Sequence, residues 1–190
     1  MNLFSIIIGS IFVNNYVFAQ FLGICPALGV TKKVDTAFGM GMAVTFVITV
    51  ASIVTYFIQK YVLDVFDLQY LQTIAFILVI ATLVQFVETA LKKLSPSLYE
   101  GLGVFLPLIT SNCVVLGVAI LNIDAEYNII QTIVNGLAAS VGFTIAIVAL
   151  ASIREKLQYA DIPEIIKGTP LTLFALGLMS IAFMGFAGIV

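Results

Sequence analysis

Apolar runs close to the thickness of a lipid bilayer recur along the whole of this chain. They extend from Asn2 to Val30, Ala37 to Ile58, Gln69 to Leu91, Gly101 to Leu121, Ile129 to Ile153 and Thr169 to Val190. About 20 apolar residues carry a helix across hydrocarbon, where every backbone polar group must be satisfied within the protein. Apolar residues make up 62% of the 190 and charged residues 9%, too few charges to cover a soluble domain of this size. The expectation is an all-α integral membrane protein with six transmembrane segments. No cleavable signal is expected between Met1 and Phe21, which has no basic start and no small-residue cleavage site.

The first run is too long for one straight span. At ~1.5 Å per residue it would reach ~43 Å, against a hydrocarbon core of ~30 Å. Asn14-Asn15 and the cluster Gly23, Pro26 and Gly29 predict a half-helix, an irregular or re-entrant segment and a second short helix. Such a break must be shielded by protein. Segment four carries its own breakers, Pro107, Asn112 and Gly117.

Charge sets the orientation. Connections after segments one, three and five carry Lys32, Lys33, Lys92, Lys93, Arg154, Lys156 and Lys167, while the other side has only Lys60 with Asp64, Asp67, Asp124 and Glu126. By the positive-inside rule both termini face away from the cytoplasm. The loop from Arg154 to Gly168 reads as a short amphipathic helix or turn on the cytoplasmic side.

The two halves echo each other. Cys25-Pro26-Ala27-Leu28-Gly29-Val30 in segment one matches Cys113-Val114-Val115-Leu116-Gly117-Val118 in segment four, and Val50-Ala51-Ser52-Ile53 in segment two matches Leu150-Ala151-Ser152-Ile153 in segment five. Three spans return the chain on the opposite side, so 1–94 and 95–190 are expected to be two inverted three-helix repeats. That architecture places a functional site near the midplane, at the repeat interface. Ala37/Gly41 and Gly136/Ser140 have the spacing of close helix packing.

Cys25 and Cys113 are the only cysteines, and the chain has no histidine. His-ligated haem, zinc–histidine chemistry and a Ser-His-Asp triad are thereby excluded in this chain. A net charge of −2 without a basic patch argues against nucleic acid. One cysteine in an apolar segment is ordinarily a small hydrophobe. Two at matched positions, each beside helix breakers, raise the alternative of metal ligation, with core packing and a disulfide as the bland readings. Two thiolates do not complete a tetrahedral iron–sulfur site, which needs four ligands, so a cluster requires a second polypeptide.

Over essentially its whole length the chain resembles a known family. The stretches Asn14-Asn15-Tyr16-Val17-Phe18-Ala19-Gln20-Phe21-Leu22-Gly23-Ile24-Cys25-Pro26 and Leu106-Pro107-Leu108-Ile109-Thr110-Ser111-Asn112-Cys113 resemble the A-type membrane subunits of the bacterial Rnf ion-translocating oxidoreductase. That family is similar to membrane subunits of the sodium-translocating NADH:quinone reductase, and the Asn14-Asn15 pair and Cys25-Pro26 favour the Rnf type. The resemblance implies a prokaryotic cytoplasmic-membrane subunit, not catalytic alone, of a complex that moves electrons between ferredoxin and NAD and couples this to Na+ or H+ transport. It further implies that Cys25 and Cys113 are ligands of an intramembrane [2Fe-2S] cluster shared with a homologous inverted subunit of the E type. Flavins and other Fe–S centres are then expected in the remaining subunits.

Glu88 is the one carboxylate inside an apolar run, and an intramembrane carboxylate is a default candidate for an ion pathway. Lys92 follows one turn later, so an interfacial i,i+4 pair is the competing account. Asn14, Asn15, Gln85, Thr110, Ser111 and Asn112 are expected chiefly to satisfy broken backbone. Repeat architecture alone also fits a small secondary transporter or channel without a redox centre, and the matched thiols favour electron transfer over it.

Overall fold

The computed structural model describes residues 3–66, 69–94, 108–109, 111–159, 163 and 166–186, and every regular element among them is helical. In chain order these are α1 (Leu3–Val13), α2 (Ile24–Val30), α3 (Val34–Leu63), α4 (Gln72–Leu94), α5 (Cys113–Asp124), α6 (Ile129–Leu157) and α7 (Thr169–Met184). Three of them, α3, α4 and α6, are long and apolar enough to cross a membrane, with mean hydropathies of 2.1, 1.7 and 2.1. The others, α1, α5 and α7, are apolar but shorter.

The first segment divides as its breakers predict, with one correction. The irregular stretch is 14–23, whereas Pro26 and Gly29 lie inside α2. Pro26 is the third residue of that helix, where no intrahelical partner waits for the N–H it lacks. Gly117 likewise sits within α5 and does not break it. Its missing side chain serves packing, since a Cβ there would come within 2.6 Å of Leu22 Cδ1. Pro107 and Thr110 lie outside the described residues. The loop expected from Arg154 to Gly168 also starts later, because α6 carries Arg154 to Leu157 in its last turn.

Helices α3 and α6 share the broadest contact. They run antiparallel: Gly41 faces Thr144, and Gly136 faces Ser52. A Cβ on Gly41 would stand 2.5 Å from Thr144 Cγ2, and one on Gly136 would stand 3.1 Å from Ser52 Oγ. Small residues thus set the interaxial approach, the expected means of helix association where no hydrophobic driving force separates protein from lipid. Thr45 donates back to Gly41 O at 2.7 Å, and Thr144 to Ser140 O at 2.8 Å. These two hydroxyls, each bonded to the carbonyl four residues earlier on its own helix, stay satisfied inside apolar surroundings.

Around this pair the core is built from Val44, Ile48, Phe143, Ile147, Val118 and Phe76. Helix α5 lies on α3 and α6, α4 on α3 and α5, and α1 and α7 on α6. Large apolar side chains remain outside: Phe38, Met42 and Phe46 on α3, Ile74 and Phe86 on α4, Phe174 and Ile181 on α7. For a chain of this composition such faces suit lipid or neighbouring subunits.

Candidate functional site

Both cysteines occupy the first turn of a helix that follows a break. Cys25 is the second residue of α2, and Cys113 is the first of α5. The breaks are made by different means. Before α5, Asn112 is extended (φ −72°, ψ 111°), and its Oδ1 accepts the Val114 N–H at 3.1 Å. This is an asparagine N-cap. Before α2, the chain turns through positive φ at Phe21 (55°) and Gly23 (79°), a conformation glycine adopts without cost. Asn15 fixes the start of the turn. Its amide donates to Ile11 O and Gly142 O, each at 3.0 Å, and its Oδ1 accepts the Val17 N–H.

The two breaks meet. The Gly23 N–H donates to Cys113 Sγ at 2.9 Å, which brings the backbone two residues before Cys25 onto the other cysteine. A Cβ at Gly23 would lie 2.6 Å from Val114 Cγ2 and 2.9 Å from the Phe143 ring, so only glycine permits this approach. Cys113 is half-buried and Cys25 exposed. The site therefore opens on a surface this chain does not cover. Asn112 is 3% exposed, and its Nδ2 is sealed without a hydrogen-bond partner, a free donor on the residue next to Cys113.

The C-terminal end of α2 is held from the second half. Arg154 Nη1 donates to Leu28 O at 2.9 Å and to Thr31 Oγ1 at 2.6 Å. The Thr31 hydroxyl donates in turn to Ala27 O. Two carbonyls of the last turn, which have no intrahelical donor, are satisfied in this way. Sequence patterning did not single out this role, because a basic residue at a helix end reads first as an orientation signal.

A polar cluster beneath the break was likewise missed. Asn135 Oδ1 accepts from Ser10 Oγ, and Asn135 Nδ2 donates to Asn122 Oδ1 at 2.6 Å and Tyr16 OH at 3.3 Å. Asn135 inside the fifth apolar run and Asn122 just past the end of the fourth were the available signal. Of the anticipated backbone-satisfying residues, Asn15 and Asn112 act so, and Ser111 Oγ donates to Leu108 O. Asn14 and Gln85 are exposed. Glu88 lies half-buried on α4, one turn before the exposed Lys92. Among the described residues no three His, Cys, Asp or Glu converge on one point, so Glu88 is not gathered with the two cysteines.

Fold and site together define a helical membrane protein with a thiol from each half at a junction of broken segments. Residues 3–190 match the family model described as "Rnf-Nqr subunit, membrane protein", and the chain belongs to that family. It is 60% identical to the A-type component of the Na(+)-translocating ferredoxin:NAD(+) oxidoreductase complex of Acetobacterium woodii, over 99% of this chain and 98% of the relative. It is 57% identical to the A-type component of the ion-translocating oxidoreductase complex of Syntrophotalea carbinolica, over 100% of this chain and 98% of that protein. The protein of the same name from Vibrio cholerae serotype O1 is 52% identical, with 97% and 96% covered.

Proposed function

We propose that this chain is the A-type membrane subunit of an Rnf ion-translocating ferredoxin:NAD oxidoreductase complex, and that Cys25 and Cys113 are its ligands to an intramembrane [2Fe-2S] cluster. The observation that carries the reading is the 2.9 Å contact of Gly23 N–H with Cys113 Sγ, which joins the cysteine segments of the two halves. The donor set fits half of such a centre: two thiols, an exposed opening, and backbone and Asn112 donors beside the sulfur. A bound cluster would supply one-electron transfer within the bilayer. This chain's residues would hold it, donate hydrogen bonds to sulfur, and exclude water with Leu22, Val114 and Phe143. The other two thiolates come from a homologous inverted subunit of the E type, while flavins and further Fe–S centres belong to neighbouring subunits.

On this reading the chain crosses the prokaryotic cytoplasmic membrane six times with both termini outside. Residues 1–94 and 95–190 form inverted three-helix repeats. The antiparallel run of α3 and α6 supports the inversion. The coupling ion is Na+ or H+, with Glu88 a candidate on its route.

The test is the purified complex with and without Cys25→Ser or Cys113→Ser. Either variant is expected to lose one EPR signal and about two iron atoms per complex, with flavins and the other centres retained. Unchanged iron and spectra would reduce both thiols to core packing.

A further inference from the structure

We propose that a cavity at the Leu63 end of α3 binds a hard monovalent cation, with Gln59 Oε1 and the Asp64 carboxylate as the protein ligands. The cavity, about 500 Å³, lies where the end of α3 and the start of α4 meet the end of α5 and the start of α6. Its placement on the outer face, as a vestibule of the ion route, rests on the orientation proposed above. Cation binding itself does not.

A wide turn shapes this end of α3. Residues Gln59–Leu63 depart from ordinary α-helix, and the Asp64 N–H reaches back five residues to Gln59 O. Turns of this kind inside long helices are rare and re-aim side chains, often at functional sites. Here Gln59 is 8% exposed and lines the cavity. Its Nε2 donates to Asp64 Oδ1 at 2.8 Å, which fixes the amide so that Oε1 is the free end. That oxygen is sealed from solvent and accepts from nothing. A buried acceptor without a donor is costly, and a cation is the partner that an amide oxygen beside a carboxylate recruits.

Charge on the walls agrees. Asp124 and Glu126 line the cavity with Asp64, against Lys60 alone. Lys60 Nζ stands over the Tyr56 ring, 5.8 Å from its centroid. Oxygen donors without sulfur or imidazole select a hard cation. The acidic groups do not converge in threes among the described residues, whereas calcium takes six to eight oxygens. A monovalent ion that keeps part of its water shell matches so sparse a set.

The experiment is equilibrium binding of radioactive Na+ to the purified whole complex, at constant ionic strength with choline replacing sodium. Gln59→Leu is expected to raise the half-saturating Na+ concentration of one class of sites roughly tenfold. Asp64→Asn is expected to abolish that class. Gln59→Glu, nearly isosteric, is expected to tighten it. Intact EPR spectra in each variant establish assembly. Identical isotherms for wild type, Gln59→Glu and Asp64→Asn would overturn the proposal and leave the cavity to water. The cluster variants are scored by iron and EPR, so failure of the cluster reading leaves this result standing.

Discussion

Gly23 combines a φ of 79° with the Val114 and Phe143 contacts that leave no room for a methyl group. Gly23→Ala therefore meets backbone strain of about 1–3 kcal/mol and overpacking of a similar size. The variant complex is expected to melt several degrees lower and to lose the cluster signal, while Gly177→Ala, with nothing within 4 Å, leaves both unchanged. Equal melting temperatures for the two variants would contradict the close approach. Glu88→Gln separates two accounts of the α4 carboxylate. A role on the ion route predicts impaired ion transport per electron in an assembled complex, whereas a surface i,i+4 pair is worth only about 0.2–0.5 kcal/mol and predicts silence. The cysteines and the breaks at Asn15, Gly23 and Asn112 were legible because polar and conformationally special residues stand out in an apolar run, whereas Pro26 falls inside a helix. Asn122, Asn135 and Arg154 were visible as letters, but their partners were not. Asn122 and Asn135 meet from neighbouring helices, and Ser10, Tyr16, Leu28 and Thr31 are reached across more than a hundred residues, so these partners follow from tertiary packing alone.

Between elements, close packing of α3 and α6 was readable from their small residues, and the structure adds that they pack on each other and which residue each glycine faces. Gly41→Ala forces its methyl against Thr144 and is expected to destabilise the protein by about 1–3 kcal/mol. Thr144→Ala removes the two atoms at 2.5 and 2.7 Å and should restore part of that loss. Additive effects in the double-mutant cycle would show that the two residues do not touch. The wide turns ending α1 and α3 had no counterpart in hydropathy, since one extra residue per turn leaves an apolar run apolar. The same blindness explains Gly29 and Gly117, which read as breakers although both lie inside helices. A glycine's effect depends on the neighbour it admits.

For the whole molecule, orientation is the most exposed claim. Single cysteines placed at Lys33, Lys93 and Lys156 in a chain otherwise unchanged should resist impermeant thiol reagents in intact cells and react in inverted vesicles. Reaction at these sites from outside would reverse the orientation and undo the positive-inside argument. Two cavities of the molecule differ in charge. The one beside Gln59 carries Asp64, Asp124 and Glu126 against Lys60, whereas a second, of about 350 Å³ beside Gln158, is lined by Arg154 and Lys167. The links that close the cysteine site also carry a consequence for how the protein is made. Gly23 reaches Cys113 across 90 positions, and Leu28 meets Arg154 across 126. The first half alone can make neither contact. The Leu28 carbonyl waits for the Arg154 guanidinium, so α2 is fixed at both of its ends only once the chain has been made as far as the close of α6.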